Sequence, residues 1–395
     1  MFRHKEKMNA KKIKVLALIY FLFGFSEAIF VYVMSPYLKE ITGSDNVGIF
    51  YFFSYVLILA AILNFHKAIG QEGRMDVFYK LLIAKMVCVA VLLFSPSGAL
   101  GIIFMILYII SNALAFVNLD MILEMYSKDS YSGRIRGSSL TALNIGFLIG
   151  PLVSTAFLSH GGFPSIFIAL IILTFVIFLI SVGYFKKDAP LSARGKRMSI
   201  WKIVKKTWQR KDIVKIFHIS FALEFFYALV AVYYTLYLLE IGFSWGQIGI
   251  ILTAALLPFV LFQYAAGHLA DRKFGEKGML IGAVLLLGTF TAIIWFLDSQ
   301  NILVWCILMF LARVGAALIE ILRDSYFYKR IDARDVDVID IFRTSMPAAF
   351  ISFSIVSAAL LLFFPLKIVF VLTAVVVLSA LYPAWRLENN RANRF

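Results

Sequence analysis

Glu27, Glu224 and Arg313 each lie inside a long apolar run, where water is least expected. Glu27 is the only formal charge in Val15–Tyr37, VLALIYFLFGFSEAIFVYVMSPY. Counted from Lys14, it sits about 20 Å along a helix, near the middle of a stretch of bilayer-spanning length. A carboxylate at that depth is costly unless it is paired, protonated or facing water, so it points to function. Glu224, within 213–237, and Arg313, within 301–322, fall at similar depth. Two acids and one permanent cation at one level suggest a proton carrier beside a fixed ion pair. Arg313 needs a counter-ion, and Glu224 in the same half of the chain is the first candidate. Glu27 is then the unpaired acid, and burial favours its protonated form. Both acids are therefore candidate proton-coupling residues. Each keeps a second reading: Glu27 as a permanent hydrogen-bond partner of a neighbouring helix, Glu224 as a substrate ligand. Lys85 and His218 are expected to snorkel toward water.

The elements that hold these groups are membrane helices. Hydrophobic residues make up 62% of the chain and charged residues 15%, against about a quarter charged in soluble domains. Twelve apolar segments can be counted, at 15–37, 47–65, 79–95, 99–122, 138–159, 163–185, 213–237, 246–268, 278–297, 301–322, 341–363 and 366–385. Turn chemistry marks the breaks at Ser95-Pro96-Ser97-Gly98, His160-Gly161-Gly162-Phe163-Pro164 and Phe364-Pro365. Only helices satisfy every backbone group in so many apolar spans, so an all-α membrane protein is expected. The loops at 66–80, 123–137, 186–212, 269–277 and 323–340, with both ends of the chain, carry most of the Lys and Arg; the opposite loops carry only Lys39 and Lys367. The bias toward positive inner loops places both termini in the cytoplasm.

The loop 186–212 divides the chain into six-helix halves, 1–185 and 213–395. Its second part, SIWKIVKKTWQRKD, puts Ile200, Val204 and Trp208 on one helical face, as expected of a linker lying on the inner leaflet. An internal repeat supports the division. Tyr37-Leu38-Lys39-Glu40-Ile41 follows the first segment and Tyr237-Leu238-Leu239-Glu240-Ile241 the seventh. Two parallel repeats of this kind bring a binding site to their interface near the midplane.

Several classes are excluded or disfavoured. The formal charge, 38 − 23 = +15, follows the loops on one side, so nucleic acid is not an expected partner. Cys88 and Cys306 sit in apolar runs without metal spacing and read as packing residues. The basic start and first run resemble a signal peptide, but the run is too long and lacks a small-residue cleavage site, so it reads as a retained helix. No P-loop, nucleophile–base pair or metal cluster occurs in the loops, so an enzyme, a cofactor and a metal are not expected.

Two motifs resemble the major facilitator superfamily. Gly267-His268-Leu269-Ala270-Asp271-Arg272-Lys273-Phe274-Gly275-Glu276-Lys277 is similar to that family's cytoplasmic loop signature. There Gly267 permits close helix contact, while Asp271 and Arg272 form a conformational latch that caps or pairs with neighbouring helices. The corresponding first-half loop around Gly70 lacks the Asp-Arg pair. Gly137, Gly146, Gly150 and Pro151 resemble the fifth-helix motif of drug:proton antiporters, with Ser154 and Thr155 where the motif ends in two glycines. Gly146 and Gly150 make a small-residue groove and Pro151 bends the helix. A plain packing role for this motif stays open.

The resemblance implies a fold of twelve helices in two six-helix bundles related by a pseudo-two-fold axis, with helices 1, 4, 7 and 10 lining the cavity. The candidate cavity residues are then Glu27, Asn112, Glu224, Tyr227, Tyr234 and Arg313; Asp120, Glu124, Glu320 and Asp324 read as gate or loop salt bridges. The implied function is alternating-access secondary transport, driven by protons or another coupling ion, exporting lipophilic or cationic small molecules. The alternatives are an importer of a polar or anionic solute held by Arg313, and a non-transporting receptor in the same fold. The expected setting is a plasma or bacterial inner membrane, as a monomer.

Overall fold

The computed structural model of the chain describes residues 2–94, 98–126, 132–185, 204–205, 207–269, 275–331 and 336–388. It divides into two units, Met1–Asp45 with Phe53–Arg194, and Asn46–Phe52 with Gly195–Phe395. Before the linker run the helices α1 (Phe2–Val31), α2 (Met34–Thr42), α3 (Gly48–Glu72), α4 (Arg74–Phe94), α5 (Gly98–Tyr126) and α6 (Ser132–Tyr184). After it come α7 (Lys211–Leu229), a π-helical turn (Val230–Tyr234), α8 (Thr235–Glu240), α9 (Trp245–Leu269) and α10 (Glu276–Ile293). They are followed by α11 (Ile302–Lys329), α12 (Val336–Arg343), α13 (Ser345–Leu360), α14 (Ile368–Ser379) and α15 (Leu381–Trp385). No strand occurs among the described residues.

Among the described residues, eleven stretches are long and apolar enough to cross a membrane, and one of them, Gly137–Tyr184, has 48 residues. At about 1.5 Å per residue it would measure about 70 Å, more than twice the hydrocarbon thickness. It is broken at Gly162, with φ 62° and ψ −163°. That left-handed conformation suits glycine, and Pro164 two residues later cannot donate to the preceding turn. The break lies where the His160–Pro164 sequence predicts it, and it yields twelve crossings. Phe53, Ile172, Ile307 and Val375 point outward, as lipid requires, while Leu16, Phe78, Leu82 and Leu119 pack inside the first unit.

The glycines that resemble a fifth-helix motif set the distance between α1 and α6. A Cβ on Gly146 would lie 2.4 Å from the Phe21 carbonyl oxygen, and one on Gly150 2.3 Å from the Ala28 Cβ. From the other side, a Cβ on Gly24 would lie 2.4 Å from the Leu143 carbonyl oxygen. Only a hydrogen fits at these positions, and the two backbones close on each other as in other small-residue contacts. Gly137 meets nothing and takes no part in this packing. Beyond Pro151, the hydroxyls of Ser154 and Thr155 donate back to its carbonyl at 3.2 and 2.8 Å.

The Tyr37/Tyr237 repeat has a structural counterpart in each unit. Tyr37 stacks edge-on against Phe167 with ring centres 5.0 Å apart. Tyr237 does the same against Phe370, also at 5.0 Å. Each first membrane span is also irregular at the equivalent register: α1 gives way to α2 at Val31–Met34, and α7 to α8 through the π-helical turn Val230–Tyr234. The linker helix expected over 186–212 lies outside the described residues up to 203; beyond that point Trp208 is exposed.

Gly150→Ala is expected to destabilise the detergent-solubilised protein by about 1–3 kcal/mol through overpacking against Ala28. Gly137→Ala should stay within about 0.5 kcal/mol of the parent. Thermal unfolding of the two variants side by side checks the difference.

Candidate functional site

In the first unit, α1 and α5 run as an antiparallel ladder. Residues 20, 23, 27 and 30 of α1, spaced by three or four, meet residues 120, 116, 112 and 108 of α5, spaced by four. The Tyr20 hydroxyl donates to Asp120 Oδ1 at 2.6 Å, Phe23 and Phe116 lie 5.8 Å apart, and Phe30 meets Tyr108 at 5.2 Å. The fourth rung is polar: Asn112 Nδ2 donates to Glu27 Oε2.

Lys85 of α4 completes this rung, which corrects the expectation that it snorkels to the surface. Its side chain is fully buried, at 0% exposure. The ammonium donates to Asn112 Oδ1 at 2.7 Å and to Ser26 Oγ at 3.2 Å, and lies 5.0 Å from the Phe23 ring and 5.5 Å from that of Tyr108. Asn112 suits the position chemically, because its amide serves an acceptor with one end and a donor with the other. Glu27 is therefore not the unpaired acid: it shares one bridging amide with a buried cation whose charge acts on it. The depth argument that singles out Glu27 applies equally to Lys85, in the middle of the run 79–95.

In the second unit, Glu224 pairs with Arg323 instead of Arg313. Arg323 Nη1 donates to Glu224 Oε1 at 2.9 Å and to Ser220 Oγ at 2.7 Å. Ser220 Oγ shares a 2.8 Å hydrogen bond with Ser345 Oγ of α13, and Arg323 Nε lies 3.4 Å from Asp324 Oδ1. The reason is register. Tyr227 donates to Glu320 Oε2 at 2.8 Å, so α7 and α11 are aligned at that level. Arg313, seven residues earlier in α11, is about 10 Å farther along the helix and away from Glu224. Arg323 reads as a loop residue in the sequence because the apolar run ends at 322; Tyr326 and Phe327, both buried, are the signal that the helix continues.

Arg313 is 4% exposed. Its guanidinium lies 5.3 Å from the Phe226 ring, 5.5 Å from Tyr227 and 5.6 Å from Phe259. Among the described residues it has no carboxylate partner, and its Nε has no hydrogen bond. The buried Tyr234 hydroxyl also lacks a hydrogen-bond partner and feels the Arg313 charge. Tyr234 ends the π-helical turn, a distortion that often accompanies functional sites. Tyr227, Tyr234, Arg313 and the turn thus gather in one place. A cation–π cage partly compensates a buried guanidinium but leaves its N–H donors free for an anionic group.

The remaining candidates lie apart from these clusters. Asp271 and Arg272 are outside the described residues, while Gly267 falls in the last turn of α9. Glu276 from the same loop signature is 1% exposed. It accepts from Ser325 Oγ at 3.0 Å and from Lys329, tying the start of α10 to the end of α11. His218 is exposed and meets Ser379 Oγ at 3.0 Å.

Replacing Arg323 by Gln should destabilise the protein by about 3–5 kcal/mol, because Glu224 is left as a buried, uncompensated charge. Adding Glu224→Gln should recover most of that loss. Thermal unfolding of the double-mutant cycle checks the pair. Coupling of Glu224 to Arg313, with none to Arg323, would contradict it.

The family model of the Major Facilitator Superfamily matches residues 16–322 and 216–394. Among solved structures, the chain is similar to a bacterial homologue of the human lysosomal transporter Spinster, captured inward-facing and unoccupied. That likeness has a TM-score of 0.71 over 96% of each chain, at 12% sequence identity, and bears on the fold alone. Comparison with curated proteins gives no match. The chain belongs to the Major Facilitator Superfamily and is a multi-pass membrane protein, a secondary transporter of a small molecule.

Proposed function

We propose that this transporter carries an amphipathic organic anion, with Arg313 receiving the anionic group and Phe226, Tyr227 and Phe259 receiving the apolar part. The observation that carries this reading is Arg313: a permanent cation, 4% exposed, with no carboxylate partner among the described residues. Carboxylate or phosphate binds a guanidinium through paired N–H bonds and would neutralise it. A lipophilic cation, the substrate class of the antiporters that the fifth-helix motif resembles, finds less support. Glu27 shares Asn112 with Lys85, and Glu224 is bonded to Arg323. Both acids that such a cation would seek already face protein cations.

Proton coupling is assigned to Glu27. Protonating this carboxylate removes the counter-charge of Lys85, so the charge inside the first unit changes by one for each proton bound. Glu224 is assigned instead to holding α7, α11 and α13 together through Arg323, Ser220 and Ser345. The carrier acts as a monomer in a plasma or bacterial inner membrane with both termini in the cytoplasm, following the distribution of Lys and Arg among the loops.

The test is a panel of amphipathic carboxylates, organophosphates and quaternary ammonium compounds, scored by thermal stabilisation of the purified protein. Anions should stabilise it, and Arg313→Gln should weaken that effect at least about tenfold, the scale of a lost charge-assisted hydrogen bond. Stabilisation by cations only, unchanged in Arg313→Gln, would overturn the reading. In liposomes, Glu27→Gln should abolish accumulation driven by a pH gradient while leaving exchange of substrate across the membrane. Gradient-driven accumulation at the parental level in that variant would remove Glu27 from the coupling role.

A further inference from the structure

At one end of the second unit, Trp208, the first turns of α7, and α15 with the Arg386 that follows it form a surface groove of about 320 Å³. Trp208, Lys211, Lys215, His218, Tyr382 and Arg386 line it. It stands at a membrane boundary, because one apolar span begins at Lys211 and another ends at Trp385. Trp208, Tyr382 and Trp385 are 58%, 62% and 67% exposed, the position of an aromatic belt at the headgroup level.

The charges in this groove are unbalanced. Asp212 and Glu388 are the nearby acids, and both are already engaged, Asp212 by Lys215 at 2.9 Å and Arg330 at 3.3 Å, Glu388 by Arg330 at 2.8 Å. Lys215 also donates to the Arg386 carbonyl at 2.7 Å, fixing the start of α7 to the chain end of α15. Lys211 has no acidic partner among the described residues, and the Arg386 guanidinium lies over the Tyr382 ring at 4.7 Å with none either. Two cations thus face one groove with an apolar floor of Val214 and Pro383.

We infer that this groove binds the headgroup of an anionic phospholipid, its phosphodiester held by Lys211 and Arg386 and its acyl chains running down beside Val214 and Tyr382. A lipid fits better than a soluble phosphate because the groove opens among exposed aromatic rings at the end of two spans. Basic pockets between helices on the cytoplasmic side are suited to anionic headgroups. The inference rests on the cytoplasmic orientation proposed above for this end. It is independent of the substrate at Arg313.

The experiment titrates detergent-solubilised, full-length protein with phosphatidylglycerol, phosphatidylcholine or glycerol 3-phosphate and counts bound molecules by native mass spectrometry. Phosphatidylglycerol should bind at least about tenfold more tightly than phosphatidylcholine, with glycerol 3-phosphate failing to displace it, given the scale of the attraction expected from two basic residues. Lys211→Gln with Arg386→Gln should abolish the preference. Lys211→Gln alone, at an exposed side chain, should weaken phosphatidylglycerol binding without offering Lys215 a new carboxylate that competes with Asp212. Equal binding of the two lipids, a preference that survives both variants, or displacement by millimolar glycerol 3-phosphate would overturn the proposal. The assay reads no transport, so its failure leaves the anion-carrier reading standing, and failure of the anion panel leaves this one standing.

Discussion

Hydrocarbon offers a buried charge neither water nor counter-ion, and the polar interior of this protein is arranged around that shortage. Lys85 and Glu27 are brought to opposite ends of one amide, that of Asn112, so each is satisfied without direct contact. Moving Asn112 by one residue would turn it off the face that meets α1 and leave both groups unmatched. The aromatic rungs on either side of it bring two ring faces, those of Phe23 and Tyr108, toward the same ammonium. The close approach of α1 to α6 through Gly24, Gly146 and Gly150 serves the same arrangement, since it fixes which face of α1 is left to point at α5.

The second unit solves the same problem with a wider network. Arg323 draws together α7, α11 and α13 through Glu224, Ser220 and Ser345. Tyr227 divides its two ends between jobs: the hydroxyl is committed to Glu320 and the ring faces Arg313. Once these pairs are formed, Arg313 stands beside the rings of Phe226, Tyr227 and Phe259 without a carboxylate partner among the described residues. A fully paired interior has no free valence to offer a substrate, which is why the proposed site falls at Arg313.

Much of this architecture is legible in the sequence where a single local rule decides. Segment length and hydropathy give the spans, Gly162 before Pro164 gives the break inside α6, and the Tyr37/Tyr237 repeat corresponds to two matching aromatic contacts. Glu27 and Asn112 are also legible as deep polar groups on helices that the resemblance places along the cavity. The ion pairs are not. Arg313 and Glu224 lie at similar depth when counted from segment ends, yet pairing depends on the register between two helices, which counting does not supply. Lys85 was hidden by a general expectation about lysine, which holds near helix ends and fails at the centre of a span, where the stem cannot reach water. Arg323 was hidden by an apolar run that ends one residue before it, although the helix continues to Lys329.

The central claim is that Arg313 is the deep charge left open for substrate. Its most direct test is a structure of the protein with a bromine-labelled amphipathic carboxylate, selected for thermal stabilisation. The account predicts the carboxylate within hydrogen-bonding distance of the Arg313 guanidinium and the Tyr234 hydroxyl, with Lys85 still bonded to Asn112. A carboxylate seated on Lys85, with Arg313 unchanged beneath its three rings, would contradict it.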